Sequence, residues 1–416
     1  MTTQITTARR AATGFIFVTV VIDVMAGTMA FPVLPTLIGE VSPGAGAAHI
    51  AELFGLLATL FFVMQFIASP VQGALSDRFG RRPIILASTF GIAADFVIMA
   101  LAPNIWWLAA GRVIGGVLAG SITAANAYIV DTTAPEKRAT QFGFLFAAMA
   151  LGQTVGPALG GLLASYGTRV PFWAAAAMSL LNALYGLFVL PESLPRENRT
   201  PVAWADLHPI GAALKLVRTY PAFLPWAAAI GIAGLAGIGV NNVWVVYTGY
   251  RYAWTPRDIG LLLSIVGIVG IGLQTLLVSR TVKALGERAT MLIGFALTAG
   301  GFALSAFAPT GRLFFAAVLI AVLGNISGAP QSSIMSRLVG PQDQGLLSGA
   351  SNAIRSLTGI FGPLLFTALF AQSIRIGGAA LSGLAFVVAA VLFAASGALC
   401  AWITRVPRAG VVAETD

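Results

Sequence analysis

Charge is what this sequence has least of. Only 9% of its 416 residues are Asp, Glu, Lys or Arg, against 57% hydrophobic, and the mean hydropathy is +0.88. That leaves too little polar surface to cover a water-exposed globule of this length, so lipid must be the solvent for most of the chain. Cysteine is nearly absent: Cys400 alone excludes an intramolecular disulfide framework and reads as a small apolar packing residue. Histidine is scarce too. His49 and His208 both fall in polar segments, and no embedded nucleophile and base pair is visible, so no enzyme, metal site or cofactor is expected.

Apolar runs are what the chain has in abundance. A helix needs about 20 apolar residues to cross a hydrocarbon core of about 30 Å. Twelve stretches of that kind lie near 13 to 38, 51 to 74, 83 to 102, 105 to 131, 138 to 165, 170 to 190, 221 to 248, 256 to 281, 289 to 308, 311 to 338, 343 to 372 and 377 to 404. The predicted fold is an all-α membrane protein of twelve transmembrane helices. The first run follows Arg9 and Arg10 but is too long for a signal peptide and lacks a cleavage pattern, so it counts as helix 1.

One long polar interruption, from Glu192 to about Tyr220, carries Pro195, Pro201 and Pro209 and divides six helices from six. The expected organisation is a six-helix bundle over 1–190, a linker over 191–220 and a second six-helix bundle over 221–416. Equal halves fit an internally repeated transporter whose substrate site lies between them. The net charge of +9 would suggest nucleic acid in a soluble protein, but its distribution supports another reading. If both termini are cytoplasmic, seventeen of the twenty-four basic residues fall on the inside. Arg169, Arg251, Arg257, Arg312 and Arg375 fall outside, and Arg112 and Arg355 lie within helices. The positive-inside rule fixes that orientation, with the bilayer rather than nucleic acid as partner.

Four segments carry motifs. Between helices 2 and 3 stands Gly73-Ala-Leu-Ser-Asp-Arg-Phe-Gly-Arg-Arg-Pro83. Gly73 and Gly80 permit unusual dihedrals in a reversal, and Asp77 can sit at a helix N-terminus. Arg78 belongs to the same loop; Arg81 and Arg82 can pair with inside-facing acids, Asp131 being the candidate partner. A degenerate counterpart after helix 8 holds Ser279, Arg280, Lys283, Gly286, Glu287 and Arg288. Helix 4 reads Gly111-Arg112-Val-Ile-Gly-Gly-Val-Leu-Ala-Gly120, and an arginine at that depth costs about 2.5 to 3.5 kcal/mol unless it faces a cavity or partner. Helix 5 contains Gly152-Gln-Thr-Val-Gly156-Pro157-Ala-Leu-Gly160-Gly161, small residues and a proline that allow bending and close packing. Helix 1 reads Ile22-Asp23-Val-Met-Ala-Gly27-Thr-Met-Ala-Phe31-Pro-Val-Leu-Pro35.

On these motifs the chain resembles the proton-coupled drug exporters of the major facilitator superfamily, tetracycline branch. The resemblance implies a bacterial inner-membrane antiporter that exports small amphipathic molecules by alternating access, with protons as the coupling ion and a monomer as the expected state. It implies that Gly73, Asp77, Arg78, Gly80, Arg81, Arg82 and Asp131 form a conformational gate, with Asp77 meeting the start of helix 11 near Gln344 to Ser348. It also implies that the Gly152, Gly156, Pro157 and Gly160 stripe of helix 5 packs on helix 11, where Gly359, Gly362 and Pro363 form an echo. Two departures weigh against a tetracycline–metal complex as substrate. Thr298 stands where those exporters carry a helix 9 aspartate, and Gly270 where they carry a helix 8 histidine.

Asp23 lies thirteen residues beyond Arg10, about 20 Å deep at 1.5 Å per residue, and Asp95, Arg112 and Gln65 also fall toward the middle of the first half. A carboxyl in low dielectric holds its proton until a cation approaches, which suits it to alternate between proton and charge. Asp23 and Asp95 are the candidate proton carriers, Arg112 tunes them, and Gln65 hydrogen-bonds the substrate. The competing reading makes either acid a permanent structural partner of Arg112. The second half offers Asn241, Asn242, Gln274, Asn325, Gln331 and Arg355 as substrate contacts, together with Asn352, Trp244 and Tyr247, although single amides also serve as helix glue. An importer or facilitator on the same fold, or a membrane sensor or scaffold, are the rival functions.

Overall fold

The computed structural model describes residues 2–200, 211–340 and 343–405, and the described residues form helices without strands. His208, Pro201 and Pro209, considered above, lie outside the described residues. In chain order the first crossing, α1, is Thr2–Met29 with a continuation, Leu34–Val41, bent from it by 47° where Pro32 and Pro35 interrupt the hydrogen-bond ladder. It is followed by α2 (Ala47–Phe79), α3 (Arg81–Leu101), α4 (Ile105–Thr132), α5 (Pro135–Ala164) and α6 (Val170–Val189). A short helix, Gly211–Thr219, stands in the linker, and α7 is Leu224–Tyr252.

Next comes a continuous apolar stretch, Pro256–Phe307, of 52 residues. Straight, it would reach about 78 Å, more than twice a hydrocarbon core. Gly286 interrupts it with φ 80 and ψ 164, so it holds two crossings, α8 (256–285) and α9 (287–307). The remaining crossings are α10 (Gly311–Ser336), α11 (Gln344–Leu381) and α12 (Leu384–Ile403), which brings the total among the described residues to twelve.

Two compact units emerge. The first joins Met1–Gly211 with Gly239–Ile268 and Gly359–Ser382; the second joins Ala212–Ile238, Val269–Thr358 and Gly383–Asp416. In the first, α1 packs on α5 and α6, α3 on α6, and α2 on α4. Its core includes Ile16, Val20, Ile85, Ala124, Tyr128, Leu145 and Leu190. In the second, α9 packs on α10 and α12 around Leu216, Phe223, Trp226, Met291, Phe295, Met335 and Cys400. Large apolar side chains such as Phe188, Trp106, Phe307 and Ile376 are exposed, as expected of helices solvated by lipid.

The halves repeat with a constant offset of 206 residues over a long segment. Gly80 (φ 105, ψ 162) corresponds to Gly286 (φ 80, ψ 164), two turns in a backbone region that side chains other than glycine avoid. Asn104, whose side chain caps α4, corresponds to Thr310, whose hydroxyl caps α10. The offset also carries Gly156-Pro157 of α5 onto Gly362-Pro363 of α11.

The helix 5 motif makes contacts other than the one expected of it. A Cβ on Gly152, Gly156 or Gly160 would meet the backbone of α1 between Val21 and Met29, and Gly161 lies against Pro256 and Arg257 of α8. Gly260 of α8 sits under the Pro157 carbonyl, just as Gly55 of α2 sits under the Pro363 carbonyl. The partner of α5 in the second half of the chain is therefore α8, and that of α11 in the first half is α2. The reason is steric: in both pairs the proline's own carbonyl lies where a Cβ on the neighbouring helix would stand, and a glycine there permits the approach. Gly160→Val is expected to cost about 1–3 kcal/mol through overpacking on Met29. The measurement is the apparent melting temperature of the detergent-solubilised protein. Gly270→Ala, which meets nothing within 4 Å, serves as the neutral comparison.

Candidate functional site

Three polar clusters form within the first unit. The deepest surrounds Asp23 on α1. Asn182 of α6 donates Nδ2–H to Asp23 Oδ1 at 3.0 Å, and the Thr19 hydroxyl donates to Asn182 Oδ1 at 3.1 Å. All three side chains are buried, and the hydroxyl of Ser121 on α4 also bears on the carboxyl. Among the described residues no basic side chain pairs with Asp23.

The second cluster is an ion pair. Arg112 of α4 reaches Asp95 of α3 with Nη2 at 2.6 Å from Oδ2, and the same nitrogen lies 2.7 Å from Met99 Sδ. Its guanidinium carbon stands 5.4 Å from the centroid of the Phe61 ring on α2. The glycines of the motif make this possible. A Cβ on Gly111 would come within 2.7 Å of Asp95 Oδ1, and one on Gly115 would overlap Oδ2. The sequence left open which acid Arg112 joins; in the structure it joins Asp95. Gln65 is half-buried on α2, where its backbone nitrogen lies near Gly116.

The third cluster lies at the α2–α3 turn. Arg81 Nε donates to Asp131 Oδ2 at 3.0 Å, its Nη1 bonds Asp77, and its backbone N–H donates to Glu192 Oε1 at 2.8 Å. Glu192 also accepts from the backbone of Leu194 at 3.1 Å and pairs with Arg199 at 3.9 Å. Arg82 donates to the Leu187 carbonyl at 2.6 Å, whereas Arg78 is exposed beside Phe79. Gly80 lies against Glu192, and Gly73 has open space around its Cα. In the second unit the same offset of 206 maps Arg81 to Glu287 and Asp131 to Arg337, and Glu287 does bond Arg337: the same bridge with its charges exchanged.

The sequence reading missed Asn182, Glu192 and Gln72. Gln72 of α2 donates to the Val117 carbonyl, which loses its helical partner where α4 breaks around Gly120. That break was the available signal for Gln72; for Asn182 there was no signal beyond an amide inside an apolar run. Among the second-half candidates, Asn241 and Asn242 fall in the first unit, Asn242 buried and Asn241 exposed. Trp244 and Tyr247 beside them are buried, the Tyr247 hydroxyl 3.3 Å from that of Tyr252. Gln274, Asn325, Gln331, Asn352 and Arg355 fall in the second unit. Gln274 is exposed on a π-helical turn, Leu273–Leu277, and Asn325 on a 3₁₀ turn, Gly324–Ser327, local irregularities of the kind found at functional sites. Asn352 and Arg355 are exposed, and Gln331 is half-buried. Thr298 is buried, its hydroxyl donating to the Gly294 carbonyl at 3.1 Å.

Twelve crossings in two repeated halves, with buried ionisable side chains at membrane depth, define a multi-pass secondary transporter. The sequence profile of the Major Facilitator Superfamily matches residues 16–363, and the chain belongs to that superfamily of membrane transporters of small molecules. Within it, the chain is similar to the tetracycline resistance protein of class C from Escherichia coli, at 36% identity over 90% of this chain and 92% of that one. It is also similar to the class G protein from Vibrio anguillarum, at 34% identity over 93% and 95%. Solved structures share the fold. A bacterial homologue of the human lysosomal transporter Spinster superposes with a TM-score of 0.73 at 17% identity, covering 96% of this chain and 97% of that one. The human organic anion transporter MFSD10 gives 0.67 at 22% identity, covering 94% and 99%.

Removal of one member of a buried ion pair leaves the other uncompensated. Arg112→Met is expected to cost about 3–5 kcal/mol, and the double variant Arg112→Met, Asp95→Leu to recover most of it. Thermal unfolding of the purified protein read as a double-mutant cycle measures both.

Proposed function

We propose that this chain is a proton-coupled exporter of small amphipathic molecules in the bacterial inner membrane, with both termini cytoplasmic, working as a monomer by alternating access. The observation that carries the reading is Asp23: a buried carboxyl at mid-helix whose hydrogen-bond partners are neutral and which no basic side chain among the described residues pairs. Such a group is not locked in one charge state by a fixed counter-charge, so it can take a proton at one face and release it at the other. Asp95 is a second acid whose charge Arg112 balances, and Gln65 with the amides at Asn241, Asn242, Gln274, Asn325 and Gln331, and Arg355, contacts the substrate. Export as the direction rests on the relatives, which are named for resistance to tetracycline.

In this mechanism the bundles 1–190 and 221–416, joined by the linker 191–220, rock against each other. The Asp77, Arg81 and Asp131 cluster, with Arg78, Arg82, Gly73 and Gly80, gates the cytoplasmic end. At the other end, Arg375 holds Glu52 in a two-point ion pair at 2.5 and 2.7 Å, His49 lies 3.7 Å from Glu52, and the Thr59 hydroxyl donates to the Ile360 carbonyl at 2.9 Å. These contacts break when the substrate leaves.

In a drug-sensitive, exporter-depleted bacterium, the chain is expected to raise tolerance to some members of a panel of antibiotics and dyes, an uncoupler to abolish that protection, and Asp23→Asn to lose it. Protection that survives the uncoupler, or uptake in place of export, would reject the reading. A pair of cysteines at positions 52 and 375, joined by a short bifunctional maleimide, is expected to stop transport, and undiminished activity after full cross-linking would remove the rocking step.

A further inference from the structure

Asp23 is held by an amide whose orientation is itself determined. Asn182 Nδ2 lies 3.0 Å from Asp23 Oδ1 and 3.3 Å from the Thr19 carbonyl, and Asn182 Oδ1 lies 3.1 Å from the Thr19 hydroxyl. A flipped amide would set its oxygen against the Thr19 carbonyl whatever the charge of Asp23, and against the carboxylate as well when Asp23 is ionised, so the nitrogen faces Asp23. Asn182 and Thr19 are each 2% exposed, and neither ionises near neutral pH. The Asp23 oxygens are therefore unlike. Oδ1 is occupied by the Asn182 amide, whereas among the described residues Oδ2 accepts no hydrogen bond of comparable geometry.

The charged groups on the helices packed against α1 are engaged elsewhere or lie at a helix end. On α4, Arg112 is bound to Asp95 and Asp131 to Arg81; on α5, Glu136, Lys137 and Arg138 lie in the first turn; at the start of α6, Arg169 donates to the Ala100 and Ala102 carbonyls at 2.8 Å. What bears on the carboxyl is the amide of Asn182 and the hydroxyl of Ser121.

We propose that Asn182, locked by Thr19, is the positioning residue of the proton-carrying step: it donates to Asp23 Oδ1 in both charge states and so reserves Oδ2 as the atom that gains and loses the proton. The inference rests on the reading of Asp23 as a carrier. An N–H already pointing at Oδ1 excludes a proton from that oxygen, whereas a carboxylic acid protonated on Oδ2 keeps Oδ1 as a carbonyl that still accepts. The hydrogen bond thus survives each turnover, and α1 and α6 stay joined while the charge changes. One oxygen, with a fixed direction, meets the incoming water or hydronium.

The test is infrared difference spectroscopy of the full-length protein in lipid, titrated with pH. The carbonyl stretch of protonated Asp23 is assigned by its loss in Asp23→Asn. Asn182→Leu, similar in size but without a donor, is expected to move that band to higher wavenumber, because Oδ1 is the carbonyl oxygen and loses its hydrogen bond. Thr19→Val, which frees the amide to turn, is expected to move or broaden the band in the same direction and serves where Asn182→Leu fails to fold. A band unmoved in either folded variant overturns the positioning role while leaving the carrier standing. A wild-type protein with no Asp23 band across the titration overturns the carrier reading, and the positioning role with it.

Discussion

An ionised carboxylate at membrane depth must be compensated, and a chain with so few charges can be read as a record of how each one is compensated. Asp95 is balanced by Arg112 across a gap cleared by Gly111 and Gly115, and Asp23 by an amide and a hydroxyl that bring no opposing charge. A counter-charge at 2.6 Å favours the charged form of an acid, whereas a neutral donor brings no such charge. The glycines of α4, the amide of α6 and the hydroxyls of Thr19 and Ser121 are the fittings that these two solutions require.

The second half solves the same problem by removal. The offset of 206 carries Asp95 to Gly301 and Gly115 to Ala321, and in the structure Gly301 lies against the backbone and side chain of Ala321. Where the first half places a carboxylate over a glycine, the second places a methyl group over a glycine. Helix spacing is preserved by exchanging which partner carries the bulk, and no charge remains to be neutralised.

Most of the fold was legible in the sequence, since spans announce themselves by length and hydropathy, and the embedded acids and arginine stand out against an apolar background. The α8 and α9 crossings were separable because Gly286 sits among Arg280, Lys283, Glu287 and Arg288. The pairings were less legible. Asp23 and Asp95 both had a claim on Arg112 until three helices were seen together, because depth along a helix says nothing about which way a side chain faces. The helix 5 glycines were expected on α11, yet Gly152, Gly156 and Gly160 serve α1, and Gly161 serves α8. A stripe of small residues shows that something comes close without showing what. Asn182 and Glu192 were silent for a related reason: one amide in an apolar run and one acid at a helix end have many ordinary uses.

The exchanged bridge has a consequence for how the halves could have diverged. An ancestral repeat would have carried the same sign at Arg81 and Glu287, and the same sign at Asp131 and Arg337. Reversing one bridge by replacing one charged residue with its opposite at a time passes through an intermediate with two like charges face to face. Two halves on opposite sides of that step are no longer interchangeable parts: a recombinant that swapped the α2–α3 turn for the α8–α9 turn would set Glu287 against Asp131 and Arg81 against Arg337. With its charges exchanged, each turn is specific to its own bundle.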